Sequence, residues 1–334
     1  MNNKRLQIGL VGLGHLGKIH LKCLQQLENA DITGVYDLDA DVTSNVAESF
    51  GVKPYFDLDE LIRDSEALDI VAPTSAHYKI AEKAITKSKH VFIEKPVVSD
   101  LEDGYRLQNL IEDYQVIAQV GHVERFNPAF LAMKGKEIHP LFIEAHRLAE
   151  FNPRGTDVSV VLDLMIHDLD LILHMVPSSI SRISASGVCV VSNSADISNV
   201  RLEFENGCVA NITASRLALK RMRKIRLFQR DTYISMDFLE KQLQIVQLED
   251  GSQAQVDGKF YFDLELPEAR KQVSIAMPEV PQVNAILEEL RTFRDSVLLG
   301  NPVAVPVSEA IRVLELAHAI EREILVRNER ISIH

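Results

Sequence analysis

The run Gly12-Leu13-Gly14-His15-Leu16-Gly17 constrains this chain more than any other feature. It follows an apolar strand, Leu6–Val11, and opens a helix-like stretch, the context that gives such a glycine pattern its meaning. Gly12 is expected to make the tight turn. Gly14 lets the backbone approach a pyrophosphate, and Gly17 lets the helix pack close to the strand. His15 and Leu16, between them, share the helix start on which a pyrophosphate would rest. Asp37 lies 20 residues beyond Gly17, at the end of the second apolar run. A carboxylate there accepts hydrogen bonds from ribose hydroxyls and repels a 2′-phosphate. Asp39 adds a second negative charge and no arginine is adjacent, so the expected cofactor is NAD rather than NADP.

The first 120 residues continue the pattern. Apolar runs at Leu6–Val11, Ile32–Tyr36, Leu68–Ala72, His90–Ile93 and Val116–Val120, with a weaker one at Pro54–Phe56, alternate with amphipathic stretches. This alternation implies a doubly wound parallel sheet of six strands with helices on both faces. After Gly121 the rhythm changes. A helix is expected over Val160–Met175. Strands follow at Ile183–Val191, Val200–Phe204, Cys208–Ser215, Lys224–Phe228, Tyr233–Asp237 and Gln242–Gln247, close enough together to require a mainly antiparallel sheet. Two amphipathic helices, Val283–Leu299 and Ser308–Val326, close the chain. The expected division is an α/β chain with a dinucleotide-binding domain over 1–121 and a substrate domain over 122–334, the last helix packing back on the first domain.

Composition supports this class and excludes others. A chain of 334 residues exceeds what one hydrophobic core usually supports. With 46% hydrophobic and 25% charged residues it reads as an ordinary globular protein. No apolar run approaches the length of a membrane span, and Leu6–Val11 is too short for a signal-peptide core. Cys23, Cys189 and Cys208 are odd in number and widely spaced, so neither a disulfide framework nor a metal pattern is expected, and a reducing cytoplasm fits. They read as buried small hydrophobes. The net charge of −12 disfavours nucleic acid as a partner. One local exception runs from Arg216 to Arg230. It is either a solvated strand and turn or a phosphate-binding or subunit-contact patch.

Two places carry catalytic candidates. Lys95 follows the apolar run His90–Ile93, at the strand end where open parallel sheets bind ligands. Pro96 holds it extended. A lysine beside an oxidised nicotinamide would have its pKa lowered, which suits proton transfer. The stretch Val160–Met175 is apolar over most of its circumference. Yet Asp163, His167, Asp170 and His174 recur at spacings of four, three and four, one stripe of one helix. Such a stripe should line a cleft, with Asp163 orienting His167 as a proton acceptor. A structural Asp–His pair is the alternative. No third, distant ligand is identifiable, so no metal is expected.

Gly12–Gly17, Pro73-Thr74-Ser75-Ala76-His77, Glu94-Lys95-Pro96 and Asp163…His167 resemble the glucose–fructose oxidoreductase, inositol dehydrogenase and MocA-like family over essentially the whole chain. The resemblance implies a Rossmann domain plus an α/β domain whose large open sheet joins subunits into dimers or tetramers. It implies that Lys95, Asp163 and His167 are catalytic and touch substrate. Pro73, Thr74, His77, Glu94 and Pro96 would line the cofactor and cleft. The segments Gly121-His122-Val123-Glu124-Arg125-Phe126-Asn127-Pro128-Ala129 and Arg154…Asp157-Val158…Asp163 resemble a narrower branch, the UDP-N-acetylglucosamine 3-dehydrogenases. That branch makes His122 and Arg154 substrate-binding candidates and Arg125 a cofactor contact. Arg125, Arg154 and the segment around Arg216–Arg226 are candidates for gripping a diphosphate. The function implied is hydride transfer between NAD and a sugar hydroxyl carbon, C3 of a UDP-N-acetylhexosamine. A dehydrogenase of a free polyol such as inositol, and a non-catalytic NAD-binding regulator, are the other readings.

Overall fold

The computed structural model describes residues 4–152, 158–250, 259–265 and 270–332. By its contacts the chain forms two compact units, Met1–Phe126 with Val283–Leu314, and Asn127–Gln282 with Glu315–His334. The first unit thus takes in 283–314 besides the N-terminal segment.

The first unit alternates strands and helices: β1 (Leu6–Val11), α1 (His15–Leu24), β2 (Ala30–Tyr36), α2 (Ala40–Phe50), α3 (Leu58–Asp64), β3 (Ala67–Ile70), α4 (Thr74–Ile85), β4 (His90–Glu94), α5 (Leu101–Tyr114) and β5 (Ala118–Gly121). The strands form a parallel sheet in the order β2-β1-β3-β4-β5. Covered on both faces, they are apolar without alternation: Leu68, Ile70, Val91, Phe92 and Ile93 are fully buried. Asp39, Asp57 and Asp100 cap α2, α3 and α5 by accepting backbone N–H bonds. The sixth strand expected at Pro54–Phe56 is reduced to one bridge between Pro54 and Val35. A proline has no N–H to give a ladder.

In the second unit a short helix α6 (Pro128–Leu131) precedes β6 (Phe142–Leu148). A π-helical turn at Val161–Met165 leads into α7 (Ile166–Met175). Then come β7 (Ile180–Val188), β8 (Ile197–Phe204), β9 (Val209–Ser215), β10 (Met222–Gln229), β11 (Thr232–Asp237), β12 (Gln242–Asp250), β13 (Lys259–Glu265) and β14 (Arg270–Ala276). Two helices end the chain, α8 (Ala285–Leu299) and α9 (Val307–Ser332). The nine strands form one sheet in the order β13-β14-β12-β11-β10-β6-β9-β8-β7, antiparallel except for the β6–β9 pair. β6, β13 and β14 do not figure in the sequence-based reading. Along β6, β9 and β10 the buried residues alternate, Ile143 and Ala145, Ala210 and Ile212, Ile225 and Leu227, so one face of the sheet is covered.

The Arg216–Arg230 run resolves on this sheet. Lys224 and Arg226 pair across strands with Asp237 at 3.1 Å and Glu144 at 3.3 Å. Arg223 falls on the other face, with Ile225 and Leu227. No helix among the described residues is long and apolar enough to cross a membrane.

Candidate active site

The glycine turn in the first unit borders a cleft of about 1070 Å3. Gly12 has φ +95°, and a Cβ there would lie 2.5 Å from the Ala72 backbone nitrogen. A Cβ on Gly17 would lie 2.0 Å from the Gly12 carbonyl, so only glycine lets α1 approach this closely. Gly14 differs: a Cβ on it would meet nothing within 4 Å. It caps α1 with no side-chain hydrogen bond, which leaves the N–H groups of the first helical turn for a ligand.

Asp37 ties β2 to this turn. Its Oδ2 accepts from the Leu13 N–H at 2.7 Å and its Oδ1 from the Asp39 N–H at 3.1 Å. Both oxygens keep acceptor capacity for ribose hydroxyls. The open side of Gly14, the helix start and this anchored carboxylate fit a pyrophosphate and an adjoining ribose. NAD would be held by Gly12, Gly14, His15, Leu16, Gly17, Asp37 and Pro73, which all line the cleft. Ser75, from the Pro73–His77 run, lines it too, as do Leu38, Ala72 and Ile80, which sequence reasoning does not single out. Ile80 lies in the middle of α4, where only the fold turns it to the cleft.

The remaining expected cofactor residues lie elsewhere among the described residues. Thr74 begins α4 without lining the cleft. His77 is buried, its ring nitrogens 2.7 Å from the Ala72 carbonyl oxygen and 3.0 Å from that of Pro96. Burial holds its pKa below the ordinary histidine value, so it is a neutral brace between the ends of β3 and β4. Arg125 is buried and donates to Glu309 at 2.6 Å, an ion pair with α9 rather than a cleft contact. His122 is buried after β5. Arg154 lies outside the described residues.

Lys95 stands at the end of β4, half-buried, on a support that spacing does not disclose. Its backbone N–H donates to Glu94 Oε2 at 3.0 Å. Glu94 is buried, with Oε1 3.1 Å from His20 Nε2, and His20 Nδ1 is 3.0 Å from Asp69. A Cβ at Gly121 would lie 2.7 Å from Glu94 Oε1, so that glycine makes room for the carboxylate. Glu289 of α8 adds a third carboxyl; ligand atoms of His20, Glu94 and Glu289 lie within 4.8 Å of one another. Burial pushes against charge on all these groups. For His20 burial is outweighed by Asp69 and Glu94, which hold the imidazole well above its ordinary value. Burial and the neighbouring Glu94 charge raise Glu289 well above the carboxylate range. Burial also raises Asp69, whereas the His20 and Lys95 neighbours hold Glu94 below the ordinary value, so the cluster is a buried histidine shared among three carboxyl groups.

In the second unit Asp163 sits in the π-helical turn and His167 in the first turn of α7. The single α-helical stripe expected over Val160–Met175 is thereby interrupted: a π turn carries an extra residue and shifts the phase. Asp163 and His167 are half-buried, Asp170 is fully buried and His174 is exposed beside Phe130, their ring centroids 6.0 Å apart. Asp163 lines a pocket of about 520 Å3 together with Arg147, Arg216, Arg221 and Arg223. All three cysteines are free, but Cys189 is exposed, not a buried hydrophobe.

Comparison with known proteins agrees with this architecture. Residues 6–122 match the oxidoreductase family with NAD-binding Rossmann fold, and residues 139–233 match the GFO/IDH/MocA C-terminal domain. The chain is 35% identical over 241 residues to UDP-N-acetylglucosamine 3-dehydrogenase of Acidithiobacillus ferrooxidans, covering 72% of this chain and 76% of that one. A solved structure of that enzyme superposes with a TM-score of 0.85 at 29% identity, covering 96% and 98% of the two chains. Myo-inositol 2-dehydrogenase of Thermotoga maritima is 26% identical over 338 residues, 96% of each chain.

Proposed function

This chain belongs to the GFO/IDH/MocA family of NAD-binding oxidoreductases, and from that premise we propose that its reaction is oxidation at C3 of a UDP-N-acetylhexosamine, UDP-N-acetylglucosamine first. It is a dehydrogenase acting on a sugar hydroxyl, and NAD is its cofactor. The observation that carries the reading is the cleft at the glycine turn, with Gly14 open and Asp37 fixed.

NAD, when bound, supplies the hydride acceptor. The chain supplies position and proton handling. The first unit contributes Lys95, placed by the buried Glu94. The second contributes Asp163 and His167. Lys95 is the candidate of the first unit for handling the hydroxyl proton and His167 that of the second, with Asp163 the candidate to orient its imidazole. We assign the first unit to NAD and the second to substrate and subunit contacts, made through the open face of the nine-stranded sheet. The three free cysteines support a cytoplasmic setting.

A panel of UDP-sugars, free sugars and inositols scored by NADH absorbance tests the proposal. Turnover of UDP-N-acetylglucosamine well above the others is expected. Turnover of inositol alone would replace this substrate with a free polyol.

A further inference from the structure

Lys95 lies just outside the parallel ladder of the first unit. The β4–β5 pairing ends at Glu94 and Gly121, and α5 does not begin until Leu101. A backbone N–H past the last ladder pair needs another acceptor. That of Lys95 finds it in the side chain of the preceding residue, Glu94 Oε2, at 3.0 Å.

Glu94 is in turn held from the far side. Its Oε1 lies 3.1 Å from His20 Nε2, and His20 Nδ1 lies 3.0 Å from Asp69 Oδ2. This chain of side chains ties the end of β4 to the middle of α1 and to β3. His20 and Asp69 are fully buried. Phe92 and Glu94, two residues apart on β4, present the same face of the strand, and His20 meets both: its ring is tilted against Phe92 with centroids 5.9 Å apart. A buried carboxyl group keeps one orientation while its partners hold it, because the alternatives leave it unpaired. His20, Asp69 and Glu94 sit beneath the strand end rather than on the wall of either cavity.

We infer that His20 is a positioning residue for the reaction: it holds Glu94, Glu94 holds the Lys95 backbone, and the lysine is thereby kept where its role requires. The inference rests on the proton-handling role of Lys95 proposed above and names what places it. A second route reaches the same carboxylate. A Cβ at Gly121 would lie 2.7 Å from Glu94 Oε1, the far end of a flexible side chain, so Gly121→Ala displaces that oxygen without removing a charge.

The test uses the full chain, NAD and the sugar that the panel above selects. His20→Leu should lower kcat by about 100-fold, the scale of an ångström's misplacement, with NAD affinity and sugar KM within about threefold of the wild type. His20→Gln keeps an N–H that can reach Glu94 and should recover about tenfold of that loss. Gly121→Ala should lower kcat by about tenfold at the same affinities. The Lys95 amide proton, followed by NMR, should exchange faster in His20→Leu and Gly121→Ala than in the wild type or His20→Gln. Should His20→Leu not fold, Gly121→Ala carries the test. Equal losses in His20→Leu and His20→Gln, kcat within about twofold of the wild type in Gly121→Ala, or weaker NAD and sugar binding at unchanged kcat would each overturn the positioning role. Lys95→Ala separates the two levels. If it abolishes turnover while the other variants keep theirs, the positioning falls and the role of Lys95 stands. If it retains turnover, the role falls and the positioning with it.

Discussion

The cleft at the glycine turn and the pocket beside Asp163 are built from different materials. The first is backbone: missing side chains at Gly12, Gly14 and Gly17, and a helix start. The second is side chain: arginines from β6, β10 and the segments after β9, balanced by Asp168 and Asp196. A backbone site tolerates almost no added atom, because it works by close approach. A side-chain site tolerates trimming in steps, because each guanidinium contributes separately. The contrast can be broken or sharpened by substitution.

The largest effect belongs to neither site. Lys95→Ala should abolish turnover while NAD affinity stays within about tenfold, read by steady-state rates and NAD titration. Retained activity would remove Lys95 from the chemistry. Next, Gly17→Ala forces a Cβ onto the Gly12 carbonyl and should weaken NAD binding by roughly 100-fold, about 2.7 kcal/mol, read by NAD titration. Unchanged NAD affinity would show that α1 can draw back without loss of the cofactor site. Asp168→Ala leaves Arg147 buried without its carboxylate and should cost about 3–5 kcal/mol, measured by urea unfolding. A change below about 1 kcal/mol would mean another group already neutralises Arg147.

The smallest effect tests the buried support of Lys95. Glu289 has its pKa raised in the folded protein, by burial first and Glu94 second. The folded state thus holds a proton that the unfolded chain releases above about pH 4.3, so this group lowers stability as pH rises from there toward its folded value. His20, also raised, contributes stability below about pH 6.5 that is lost as pH passes its higher folded value. Both slopes have the same sign. Glu289→Gln removes the first, so its melting temperature should gain on the wild type by a few °C between pH 5 and pH 8. A constant offset across that range would mean that Glu289 titrates normally.

Much of this was legible in the residues. The glycine spacing with Asp37 gave the cofactor cleft because each of those roles is local: a turn, a helix start, a strand end. The alternation of apolar and amphipathic runs gave the parallel sheet for the same reason. Short apolar stretches misled where one proline spoils a ladder, as at Pro54. The helical stripe over Asp163–His174 misled because a π turn resets the phase, and nothing in the spacing announces it.

What the sequence determined by itself is a dinucleotide-binding half followed by an antiparallel half, with Lys95, Asp163 and His167 as the groups to watch. Only the tertiary structure set Arg147 opposite Arg223, which are remote in sequence and adjacent in register. Only it gathered His20, Asp69, Glu94 and Glu289 under Lys95. It also turned His77 and Arg125 from expected ligand contacts into internal braces. The reason is physical: a backbone turn is encoded by its own residues, whereas a buried charge acquires its partner, and so its role, only when distant strands and helices meet.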